Sequence, residues 1–83
     1  MDTLYETIRV KFSQSIESIN AEIFKGKENI WGVASLKEWT DGYESTRFTP
    51  ISETEAIITS EYNMTFVKGW LINNFLIASI EIL

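Results

Sequence analysis

Apolar residues recur along the first third of the chain at Leu4, Ile8, Phe12, Ile16, Ile19 and Ile23. Steps of four and three place them on one stripe of a helix, with Glu6, Arg9, Ser13, Glu17, Asn20 and Glu22 opposite. The pattern predicts an amphipathic helix over about residues 3–25. Thr3-Leu4-Tyr5-Glu6 fits a capping box at its start, and Lys25-Gly26 fits its end. Val10 and Phe24 fall off the stripe.

Beyond a polar linker, Lys25 to Asn29, the pattern changes to runs bounded by turn residues. Ile30 to Thr40 alternates as a strand. Asp41-Gly42 is a hairpin signal, and Tyr43 to Thr49 returns as a short polar strand suited to an edge. Pro50 to Glu53 breaks that strand. Thr54 to Tyr62 reads as another strand, and Asn63-Met64 turns it into Thr65 to Ile72. Asn73-Asn74 then closes a last hairpin with Phe75 to Leu83, since Asn tolerates the positive φ of a tight turn. With two-residue loops at both turns, the faces of three strands match without a slip.

One face of this sheet collects Ala56, Ile58, Ser60, Val67, Gly69, Leu71, Leu76, Ala78, Ile80 and Ile82. Gly69 and Ala78 oppose each other there and leave a trough for the helix. The expected fold class is therefore α+β: an N-terminal amphipathic helix packed on one face of a four- to five-stranded antiparallel β-meander, as one domain over residues 1–83, with the sheet over about 30–83. The other face is half apolar. Ile57, Phe66, Trp70, Ile72, Phe75 and Ile77 share it, and the first strand adds Trp31 and Trp39.

Composition narrows the function. The chain has 45% hydrophobic and 23% charged residues, in the range of folded globular proteins. Its 83 residues allow one modest core. The longest apolar run, Gly69 to Ile80, lies between Lys68 and Glu81 and is too short to span a bilayer. MDTLYETIRV is not a secretory signal, so the expected compartment is the cytoplasm. Cysteine and histidine are both absent. This removes disulfides, the usual zinc sites, thiol nucleophiles and histidine bases. The net charge of −5 with no basic patch argues against nucleic acid as a partner.

Candidate chemistry is sparse. Glu61 and Glu81 would flank Phe66 on the mixed face, and Glu38, Asp41 and Glu44 gather near the Asp-Gly turn. Both sets read better as solvated surface than as a carboxylate pair or a cation site. No phosphate-binding or nucleophile-elbow motif occurs. The expectation is a non-enzymatic protein-binding module without cofactor or metal. It acts through the mixed sheet face, with candidate contacts Trp31, Trp39, Ile57, Phe66, Trp70, Ile72, Phe75 and Ile77. Its partner is another protein or a second copy as a homodimer, and its small acidic form suits inhibitor, immunity or anti-defence roles. The alternatives are a small-molecule binder or enzyme with an aromatic-lined pocket between helix and sheet, and a structural subunit of a larger assembly.

Overall fold

The computed structural model describes residues 6–25, 32–33, 35–74 and 76–83. The chain begins there with strand β1 (Glu6–Phe12), then helix α1 (Ile16–Ile19), which runs on into a π-helical turn (Asn20–Phe24). Helix α2 (Leu36–Asp41), strands β2 (Thr46–Pro50) and β3 (Glu55–Ser60), helix α3 (Met64–Asn73) and strand β4 (Ile77–Ile82) follow. The strands form one four-stranded sheet in the order β2-β3-β1-β4. β3 is antiparallel to both β1 and β2, and β4 is antiparallel to β1. β1 and β2 therefore run parallel with β3 between them, and β3 and β4 run parallel with β1 between them. This is the split βαβ, ferredoxin-like arrangement.

The α+β class and the four-stranded antiparallel sheet hold. The meander and the N-terminal helix do not. The segment 6–12 is a strand because Ile8, Val10 and Phe12 are all buried while Arg9 and Lys11 are exposed, a period of two. A step of four is also a multiple of two, so Ile8, Phe12 and Ile16 fit a helix and a strand equally. Val10, the residue off the helical stripe, is the one that separates them. The proposed capping box, Gly26 and most of the linker lie largely outside the described residues.

Two expected strands are helices. Ser35-Leu36-Lys37-Glu38 is a helix start, with the Glu38 amide donating to Ser35 Oγ at 3.1 Å. Asp41-Gly42 ends that helix rather than turning a hairpin. From 64 to 73, Met64, Val67 and Leu71 are buried at steps of three and four. Asn63-Met64 opens this helix and Asn73-Asn74 closes it, so neither pair makes a hairpin loop. Gly69 faces no trough: a Cβ built there meets nothing within 4 Å. Two strand readings survive in shortened form, at Glu55–Ser60 and Ile77–Ile82, but β1 pairs with both. The segment expected as an edge strand is one, at Thr46–Pro50.

The described helices lie on the sheet face that presents Ile8, Val10, Phe12, Phe48, Ala56 and Ile58. Those residues form one core with Ile19, Phe24, Leu36, Met64, Val67, Leu71 and Leu76. The π-helical turn has a specific effect. The Lys25 amide donates to the Asn20 carbonyl, five residues back, at 3.1 Å. In that wider turn Ile19 and Phe24, five apart, both point inward and are fully buried. Two polar groups enter the core. Ser60 Oγ accepts the Asn63 amide at 3.0 Å and bonds Thr46 Oγ1 at 2.7 Å. Thr40 Oγ1 is buried without a partner.

Candidate functional site

The sheet's open face is polar. It presents Arg47 and Thr49 from β2, Glu55, Ile57 and Thr59 from β3, Thr7, Arg9 and Lys11 from β1, and Ser79 and Glu81 from β4, as the strand registers dictate. Arg9 pairs with Glu55 at 3.0 Å, and Thr7 and Thr59 bond through their hydroxyls at 3.3 Å. Ile57 sits half-buried among them. The large apolar patch expected on this face is absent among the described residues, because it required Thr65 to Ile72 to be a strand.

The aromatic residues meet instead on the helix side. Trp39 of α2 and Trp70 of α3 stack, with ring centroids 4.0 Å apart and planes at 27°. Tyr43 meets Trp39 edge-on at 4.8 Å, and Phe24 meets Trp70 at 6.0 Å. Such pairs contribute about 0.5–1.5 kcal/mol each beyond their buried area. Trp39, Tyr43 and Trp70 are half-buried and pack on the core with one edge outward. Phe66 lies one turn before Trp70 on the same side of α3 and is 66% exposed. Tyr62, just ahead of the helix, is 65% exposed. The seam thus grades from buried Phe24 through the stacked tryptophans to the open ring of Phe66.

Backbone ties hold the seam's far end in place. Asn63 Nδ2 donates to the Glu44 carbonyl at 3.0 Å, and the Glu61 amide donates to the Ser45 carbonyl at 3.1 Å. They fasten the α2–β2 turn to the start of α3. Ser45 takes a left-handed φ of 55° to make that turn, a conformation that costs a non-glycine residue roughly 1 kcal/mol. Beside the turn lies an open cleft of about 620 Å³, lined by Asp41, Tyr43, Glu44, Thr46, Arg47 and Thr59 among others. Much of its polarity is already used. Asp41 Oδ1 accepts the Phe48 amide and its Oδ2 takes the Lys37 ammonium. Thr46 Oγ1 bonds Ser60 Oγ and the Glu44 carbonyl.

Of the sequence-predicted contacts, Trp39 and Trp70 come together and Phe66 extends their surface. Ile72 is 54% exposed on another side of α3, the side of Lys68, whose ammonium is 4.0 Å from Glu6. Ile57 stands alone on the open face, and Ile77 packs against the core at the start of β4. Trp31 and Phe75 lie outside the described residues. Glu81 sits opposite Arg9, with β1 separating it from β3, so it makes no carboxylate pair with Glu61. Sequence reasoning missed Tyr43, Tyr62 and Phe24. The signal was available in the four-residue steps Trp39–Tyr43 and Phe66–Trp70, but only once both segments are known to be helical. Among the described residues no group of three or more acidic side chains could hold a metal ion, and no helix is long and apolar enough to cross a membrane.

The fold and this surface define a small ferredoxin-like domain with an aromatic seam between its helices and a charged open sheet. Residues 1–82 match the family model described as Domain of unknown function (DUF6956), and the chain belongs to that family. No curated protein and no solved structure matches it significantly.

Proposed function

We propose that this chain is a non-enzymatic protein-binding module of the cytoplasm, and that its contact surface is the helix-side aromatic seam. The observation that carries the reading is the graded exposure from the Trp39–Trp70 stack to Phe66. Rigid aromatic side chains anchored at one end and open at the other are what protein contacts use as hot spots. Burying an exposed phenylalanine contributes about 1.5–3 kcal/mol before the cost of association, which makes Phe66 one anchor of a wider contact. The net charge of −5 favours a basic one, in keeping with an inhibitor or immunity role.

Photocrosslinking tests this. A photoreactive residue at position 66 of the full chain, in its native cell, should give one adduct that excess unmodified chain displaces. The same probe at Thr49, on the open face, should give none. Equal labelling from both positions, or no displaceable adduct from position 66, would sink the reading. The second reading is a small-molecule binder using the cleft beside Tyr43. Its volume lies within the usual range for ligand sites, but its openness to solvent and the internal use of Asp41 and Thr46 favour the seam.

A further inference from the structure

The cleft beside the α2–β2 turn holds charge of both signs. Glu44 and Arg47 line it on either side of Ser45 and Thr46, and neither side chain has an ion pair among the described residues. Asp41 is the other charged residue of the lining, and its carboxylate is already held by the Phe48 amide and the Lys37 ammonium. The cleft thus offers one free carboxylate and one free guanidinium that do not neutralise each other.

The wall between the two charges is fixed. The Thr46 amide donates to the Tyr43 carbonyl at 3.2 Å and closes a β-turn. The Glu44 carbonyl accepts from Thr46 Oγ1 at 3.1 Å and from Asn63 Nδ2 at 3.0 Å. Ser45 keeps its left-handed φ of 55° inside that turn, where glycine would be unstrained. Strained backbone that its surroundings hold in place clusters at ligand sites. The Tyr43 ring is held by Trp39, edge-on at 4.8 Å. Arg47 is paired in register with Thr59, so its side chain leaves the sheet on the open face while Glu44 stands on the turn.

We propose that this cleft binds a zwitterion of the amino-acid type, with its carboxylate on Arg47, its ammonium on Glu44 and its carbon chain along Tyr43. An anion would be opposed by Glu44 and by the net charge of −5. A cation would meet Arg47. An uncharged ligand would draw both charges partly out of water with nothing to pair them, at a net cost. A molecule that carries both charges pairs each of them and is neutral to the field of the whole chain. The guanidinium also offers a carboxylate two parallel hydrogen bonds. The volume, about 620 Å³, falls in the range of small-ligand sites. Both side chains are long and exposed, so they can close on the two charges of a free amino acid or open to the two ends of a short peptide.

NMR titration of the full chain tests the site, with each standard free amino acid in one arm and glycyl dipeptides in the other. At least one compound should shift the amides of Glu44, Ser45 and Arg47 saturably, with a dissociation constant below about 1 mM. Saturation in the first arm alone assigns the site to free amino acids, and in the second alone to peptide ends. For the compound that binds, acetylating the amine or amidating the carboxylate should each weaken binding at least about tenfold, the loss expected for one charge-assisted hydrogen bond. Arg47→Gln should erase the difference between the acid and its amide, and Glu44→Gln the difference between the amine and its acetyl form. Both positions are exposed, so both variants should keep the circular-dichroism spectrum of the parent chain. No shift at those amides from any compound at about 10 mM, an acetylated or amidated form that binds as tightly as its parent, or an affinity indifferent to Arg47→Gln would overturn the proposal. Phe66→Asp should leave the titration unchanged, and Arg47→Gln should leave crosslinking from position 66 unchanged, so this site and the aromatic seam fail separately.

Discussion

β2 and β4 occupy matching places in the fold. Each ends one half of the split βαβ pattern and each forms an outer edge. The first half, from β1 to β2, inserts α2 before its last strand; the second half, from β3 to β4, has α3 alone. That extra helix makes the difference. Lys37 and Asp41, one turn apart on α2, reach the outward backbone of Phe48. Asp41 stands at the C-terminal end of its helix, where a negative charge is unfavourable to the helix dipole. Its bond to a strand amide offsets that placement. β4 has no such neighbour among the described residues. Protection of a sheet edge here depends on a packed helix as much as on the strand's own residues.

Hydrogen exchange in dilute solution gives the widest contrast. The Phe48 amide should exchange at least about a hundredfold more slowly than those of Ile80 and Ile82, since only the first has a partner and cover among the described residues. Comparable rates would erase the distinction between the edges. Phe48→Ala should destabilise the chain by about 3–5 kcal/mol in chemical denaturation, because it empties a buried site against Phe12 at 6.3 Å. A loss below 1 kcal/mol would mean that β2 is held by its cover and not by its core side chain. Asp41→Ala should cost about 1–3 kcal/mol, chiefly by leaving the Phe48 amide unpaired, and should speed exchange at Phe48 while leaving Ile80 unaffected. Lys37→Met should cost no more than about 0.5 kcal/mol, since its pair with Asp41 is largely exposed and its bond to the Phe48 carbonyl is long.

The legible parts of the fold were those with one possible period. Glu55–Ser60 alternates Ala56, Ile58 and Ser60 inward against Ile57 and Thr59, and reads as a strand from sequence alone. Tyr43 to Thr49 reads as an edge from its polar Glu44 and Arg47, and Pro50, expected to break that strand, is instead its last residue, a place that an edge tolerates. The illegible parts had spacings that serve two structures. Ile8 and Phe12 satisfy both periods. Met64 to Asn73 was misread because Phe66, Trp70, Val67 and Leu71 also alternate in pairs, and β-favouring residues outweighed the helical step. Tertiary context overrode propensity there. Trp39 and Trp70 stood out as aromatic residues, but their stacking depends on two helices crossing 31 residues apart in sequence, which no local pattern encodes. Ser35-x-x-Glu38 was the one missed signal that local chemistry did carry.

The π-helical turn after α1 has a consequence for insertions and deletions. An α-helix needs four residues to bring two side chains to the same side; this turn uses five between Ile19 and Phe24. The segment therefore contains one residue more than its packing requires. Ala21 and Glu22 are both exposed. Deleting Ala21 would convert the turn to ordinary α-helical pitch and still deliver the phenylalanine to the core, four residues after Ile19. Most single deletions inside a helix rotate everything beyond them by about 100°. Here the same deletion should restore the phase, so the π-helical turn is where loss of one residue should be tolerated, with the circular-dichroism spectrum and denaturation midpoint of the deletion variant as the check.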